Sequence, residues 1–164
     1  ALNYQINREL YSAYLYLSMS SYLKEQGLDG YANWFKIQAQ EERDHALIFR
    51  NYLHENGEKV KLEAIAMPDK TFDNFLAPLE AGLEHEKYVT SLINDIYAAA
   101  HDAKDYRCMK FLDWFIEEQM EEEDNAETMI TRMKLFGSDA KALYDLNNEY
   151  AARVYTTPSP LATA

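Results

Sequence analysis

Three observations predict an all-α protein: a four-helix bundle with a long crossover between its second and third helices, plus a short fifth helix. Apolar residues recur at steps of three and four through four long stretches. Gly27, Gly57, the polar break 101–105 and Gly137 end those stretches in turn. One connection, between the second and third stretches, is far too long for a turn.

The first helix is expected over residues 2 to about 26, with a stripe of Leu2, Ile6, Leu10, Ala13, Leu17 and Ser20. Glu9 and Tyr16 lie beside that stripe on one side. The short turn Leu28-Asp29-Gly30 predicts an antiparallel return, and the second helix runs from about Gly30 to Asn56. Its apolar face is Tyr31, Trp34, Phe35, Ile48, Phe49 and Tyr52. Continuing the same steps through the gap lands on Gln38, Glu41, Glu42 and His45.

Residues 58–71 carry no helical periodicity. A connection of ~14 residues reaches up to ~46 Å, and a helix of ~26 residues is ~40 Å long, so the chain can travel a whole helix before restarting. The third helix is expected to start near Ala77, with Pro78 in its first turn, where a missing N–H is tolerated. Thr71, Phe72 or Asp73 would cap it, and Phe72 to Phe75 would form a preceding turn. Its stripe includes Leu79, Leu83, Glu86, Val89, Ile93 and Ile96. The fourth helix carries Cys108, Phe111, Leu112, Phe115, Gln119, Glu122, Ala126, Met129 and Met133. A fifth, shorter segment follows Ser138-Asp139 with Leu143, Leu146, Tyr150 and Val154 on one side. Residues 1–155 are expected to form a single domain, and residues 156–164, with Pro158 and Pro160, a non-helical tail.

Composition narrows the function. Acidic residues number 28 against 16 basic, a formal charge of −12, which opposes nucleic-acid binding and favours cations. Cys108 is the single cysteine, so no intrachain disulfide or four-cysteine metal site can form. No stretch approaches the roughly 18 apolar residues of a membrane span, and no signal-peptide pattern is visible. A reducing compartment, the cytoplasm, fits.

The decisive pattern is acid on the apolar faces. The first helix supplies Glu9, the second Glu42 and His45 as Glu-x-x-His, the third Glu86, the fourth Gln119 and Glu122. A buried, unpaired carboxylate costs several kcal/mol even after relaxation, so a cation is expected there. One Glu from each of two helices plus Glu-x-x-His is a di-iron carboxylate pattern. Oxygen donors with imidazole suit iron or manganese better than copper. His54, His85 and His101 read as ordinary polar residues, and Cys108, Met129 and Met133 as core.

At these residues the chain resembles the non-haem ferritins of bacteria and archaea, over essentially its whole length. The motifs are Asn7-Arg8-Glu9-Leu10-Tyr11-Ser12-Ala13-Tyr14-Leu15-Tyr16-Leu17, Glu41-Glu42-Arg43-Asp44-His45-Ala46, His85-Glu86, and Phe111-Leu112-Asp113-Trp114-Phe115 running into Glu118-Gln119-Met120-Glu121-Glu122-Glu123. The resemblance implies a ferroxidase and iron store. Glu9, Glu42 and His45 would hold one iron. Glu42, Glu86 and Glu122 would hold a second, with Gln119 nearby and Tyr16 beside the centre. Glu41, Glu118 and Glu121 match a third iron site. It further implies Fe(II) and dioxygen or hydrogen peroxide as substrates, and a homo-oligomeric shell of 24 subunits. Bacterioferritin is also similar, but its second Glu-x-x-His is replaced here by Gln119-Met120-Glu121-Glu122, and its haem-binding methionine by Arg43, so haem is not expected. The competing reading is a di-metal bundle that sequesters metal or activates oxygen without storing mineral.

Overall fold

The computed structural model describes residues 1–162, and among these every regular element is helical. The order is α1 (Leu2–Glu25), α2 (Asp29–Glu55), α3 (Leu76–Asp102), α4 (Tyr106–Phe136), α5 (Ala140–Ala151) and a single turn, α6 (Ser159–Ala162). The chain divides into two compact units: Ala1–Phe72 with the segment from Asp139 onward, and Asp73–Ser138.

In the first unit α1 and α2 form a hairpin. Both helices end in the same way. The N–H of Gly27 bonds the Lys24 carbonyl and that of Leu28 the Leu23 carbonyl, with Gly27 at φ 84°. Gly57, at φ 71°, repeats this with His54, and Glu58 with Leu53. Left-handed backbone at this position is nearly free of strain only for glycine. Leu15, Met19, Leu23, Tyr31 and Phe49 fill the interior completely.

The buried face of α1 is not the expected one. It comprises Gln5, Ile6, Glu9, Ser12, Leu15, Tyr16, Met19, Ser20 and Leu23, while Leu17 is half exposed and Leu10 is only partly covered. Polar Gln5, Glu9 and Ser12 occupy interior slots, so the apolar residues trace a stripe rotated away from the true one.

The long connection lies along α1. Asn3 brackets its start, donating to the Lys59 carbonyl at 2.9 Å and accepting from the Lys61 N–H at 2.8 Å. Asn7 donates to the Ala64 carbonyl at 3.0 Å. At the other end the Phe72 and Tyr22 rings lie 5.3 Å apart. The connection therefore travels nearly the whole length of α1, as its length predicted.

α5 docks on α2 through reciprocal capping. Leu28, at the start of α2, provides no side-chain cap. Instead Asn147 Oδ1 accepts from the N–H groups of Gly30 and Tyr31 at 2.8 and 3.1 Å. Asn33 in turn donates to the Arg153 carbonyl at 3.1 Å, beyond the end of α5. Of α5's apolar residues only Leu146 is buried, and Val154 lies beyond the helix and is exposed. The tail is not wholly non-helical as expected: Ser159–Ala162 closes one turn, and the Leu161 N–H bonds the Pro158 carbonyl. Pro160 fits because first-turn residues need no N–H partner. Residues 163 and 164 lie outside the described residues.

In the second unit α3 starts at Leu76, with Pro78 in its first turn as expected. The capping side chain is Asn74, whose Oδ1 accepts from the Ala77 N–H at 2.9 Å, rather than Thr71 or Asp73. Asp105 caps α4 through the Cys108 N–H at 3.0 Å. Cys108, Met129 and Met133 are buried, as the stripe required.

Candidate metal centre

The carboxylates predicted to interrupt the apolar faces are interior. Glu9, Glu42, His45, Glu86, Gln119 and Glu122 are all at most 5% exposed. Glu41 and Glu118 are partly covered, and Glu121 is exposed. Tyr16 is buried, its ring stacked on Phe35 with centroids 5.9 Å apart.

Within the hairpin, α1 presents Glu9 and α2 presents Glu42 and His45 so that one ligand atom from each lies within 4.8 Å of the others. His45 Nδ1 is 3.5 Å from Glu42 Oε2 and 3.8 Å from Glu9 Oε2. Glu9 Oε2 is buried and accepts no hydrogen bond. Burial alone would push the His45 imidazole down, but the negative charges of Glu42 and Glu9 beside it outweigh this and raise it well above its usual range. The two carboxylates thus favour the protonated form of the ring.

Three of the interior carboxylates, Glu9, Glu42 and Glu86, each accept a hydrogen bond from a glutamine. Gln5 Nε2 donates to Glu9 Oε1 at 2.7 Å, and Gln38 Nε2 to Glu42 Oε1 at 3.0 Å. Both glutamines precede their glutamate by one helical turn, so the two helices use the same device. In the second unit Gln119 Nε2 donates to Glu86 Oε2 at 3.1 Å and to Thr90 Oγ1 at 3.2 Å. The Thr90 hydroxyl donates to Glu123 Oε2 at 2.7 Å. An amide satisfies one carboxylate oxygen and fixes its rotation without cancelling the charge. The sequence pointed to Glu9, Gln38, Glu42, Glu86 and Gln119. It did not point to Gln5 or Glu123, although the i,i+4 spacing of Gln5 to Glu9 was available to find the first.

Arg8 and Arg43 lie next to the motif acids in sequence but do not pair with them among the described residues. Arg43 is exposed, and Arg8 lies over the Tyr4 and Tyr11 rings and donates to Asn7. Arg153 meets the motif's first acid, its Nη2 donating to Glu41 Oε2 at 2.8 Å.

Two interior carboxylates and an imidazole converging on one point form an oxygen-rich donor set suited to iron. A family model for the ferritin-like domain matches residues 1–136. The chain belongs to the ferritin family. Within the family it falls among the non-haem ferritins. It is 36% identical to the bacterial non-heme ferritin of Staphylococcus epidermidis over 155 residues, covering 94% of this chain and 93% of that one. The Staphylococcus saprophyticus protein of the same name is 37% identical over the same length. Among solved structures, a closed form of Archaeoglobus fulgidus ferritin made by site-directed mutagenesis superposes with a TM-score of 0.92 at 43% identity, over 94% of both chains. The open-pore ferritin of the same archaeon gives 0.91 at 42%, over 93% of both. The fold is therefore the ferritin-like four-helix bundle with its long crossover and short fifth helix. Iron storage is the function that goes with this ferritin's membership.

Proposed function

We propose that this ferritin oxidises Fe(II) to Fe(III) at a di-iron ferroxidase centre and stores the ferric product as mineral inside a shell of 24 subunits. Glu9, Glu42 and His45 hold one iron. Glu42, Glu86 and Glu122 hold the second, with Glu42 bridging and Gln119 beside it. Tyr16 is the neighbouring redox-competent side chain, and Glu41, Glu118 and Glu121 take a third ion. Residues 1–155 act as one domain, and the cytoplasm is the working compartment.

The observation that carries the reading is the meeting of Glu9, Glu42 and His45 within 4.8 Å, in an interior where each carboxylate is held by a neutral amide. A neutral amide orients a carboxylate without taking the place of a cation. Carboxylates favour the more highly charged ferric state, which lowers the potential of bound iron. Dioxygen, or hydrogen peroxide, then takes one electron from each of two irons. The second position lacks a histidine, so its ion is held less firmly, which suits a substrate that must move on to the cavity. Imidazole ligates only when neutral, so iron would compete with a proton at His45.

The test is aerobic addition of Fe(II) to the metal-free protein and to Glu42→Ala. The variant is expected to oxidise iron at nearly the protein-free rate. Equal rates for both proteins would remove Glu42 from the centre.

A further inference from the structure

α5 and the chain beyond it run along α2 and touch it in register. Asn147 meets residues 30 and 31, Asn33 holds the Arg153 carbonyl, Arg153 reaches Trp34, Gln38 and Glu41, and Tyr155 reaches Asp44. Two of these contacts flank the turn of helix that carries Glu42 and His45. The Arg153 guanidinium lies 4.3 Å from the centre of the Trp34 ring. Its Nη1 donates to the Trp34 carbonyl at 3.0 Å and to Gln38 Oε1 at 3.1 Å, and its Nη2 to Glu41 Oε2 at 2.8 Å. Its side chain is 19% exposed.

The consequence lies in Gln38. An amide has one acceptor end and one donor end. With Oε1 committed to Arg153, Nε2 must face the other way, toward Glu42 Oε1. That bond fixes the carboxylate plane, so that Oε2 is the atom turned to His45. Were the amide free to flip, its oxygen would oppose the carboxylate and Glu42 would lose its hold. A lysine could supply the charge at 153 but not a planar fork reaching three acceptors at once.

We propose that Arg153 is a positioning residue for the metal centre, acting through the Gln38 amide on Glu42 from a segment that follows the fifth helix. The inference rests on the reading of Glu42 as an iron ligand. Ligand carboxylates depend on the hydrogen bonds behind them, and removing such a partner typically costs on the order of 10-fold or more in metal affinity.

The test is anaerobic titration of the assembled, metal-free protein with Co(II), followed by its visible absorption. The proteins are wild type, Arg153→Ala, Arg153→Lys, Gln38→Leu and the Ala/Leu double variant. Arg153→Ala is expected to weaken Co(II) binding on the order of 10-fold and to alter the band pattern. Arg153→Lys should resemble it, and the double variant should bind no more weakly than Gln38→Leu alone, because both act through one bond. Wild-type affinity and spectrum in Arg153→Ala, recovery by Lys, or independent additive losses would each overturn the proposal. Should Arg153→Ala fail to assemble, as native mass would show, Arg153→Lys against Gln38→Leu decides it: matching losses and band changes support the proposal, wild-type behaviour of Lys overturns it. Glu42→Gln separates the two readings. If it binds Co(II) as wild type does, the assignment of Glu42 as a ligand fails; if it does not, while Arg153→Ala and Arg153→Lys behave as wild type, only the positioning role fails.

Discussion

Gln5, Gln38 and Gln119 show how single side chains prepare buried charge. Lysine or arginine in their place would neutralise the carboxylates and fill the space a metal needs. An apolar residue would leave the oxygens unsatisfied at a cost of about 1–3 kcal/mol each. Gly30 shows a different constraint at the same scale. A Cβ there would lie 1.6 Å from the Asn147 backbone oxygen, so α5 can approach the start of α2 only over a glycine. Gly30→Ala is expected to lower stability by about 1–3 kcal/mol, the usual cost of overpacking. Hydrogen exchange over residues 140–151 should rise with it, since the Asn147 cap would be lost. An unchanged melting temperature and exchange pattern would show that α5 accommodates the methyl group.

At the scale of elements, the ends of α1, α2 and α3 use one closure with two solutions to its strain. After α3 the Lys104 N–H bonds the His101 carbonyl and the Asp105 N–H the Ala100 carbonyl, which matches the ends of α1 and α2. Lys104, however, holds φ 55° where the other two helices have glycine. A left-handed non-glycine residue costs roughly 1–2 kcal/mol, and glycine returns part of that through its more mobile unfolded chain. Lys104→Gly should therefore stabilise the protein by about 0.5–1 kcal/mol, read as a higher midpoint in denaturant at unchanged slope. No gain, or a loss, would mean that the Lys104 side chain contributes more than its backbone strain costs. The connection along α1 is the other notable element. Asn3 and Asn7 hold it by its backbone, so its side chains are free to vary, and Leu62 and Met67 point outward at 69% and 78% exposure.

For the whole molecule those outward side chains matter. Leu135 and Tyr144 are also exposed, and a contiguous apolar patch, rather than scattered residues, would mark a contact with a partner. The native mass is expected near twenty-four times the 19.1 kDa chain, measurable by light scattering on the metal-free protein. A monomer or dimer would end the storage reading while leaving the chemistry at Glu42 open to the rate test. No helix among the described residues is long and apolar enough to cross a membrane.

The sequence by itself determined the helices, their glycine stops, the strap-length connection and the interior acids, because each is written in local spacing. Glu42, His45, Glu86, Gln119 and Glu122 were legible for that reason, Glu9 through the motif it shares with the ferritins, and Pro78 placed the start of α3. Tertiary structure decided what spacing cannot carry. The buried face of α1 is turned from its apolar stripe, since Gln5, Glu9 and Ser12 are interior for reasons of partnership rather than hydropathy. Asn147 and Arg153 find their partners more than a hundred residues away. A hydrogen bond depends on distance in space, and a helix pattern records only which way a side chain points from its own axis.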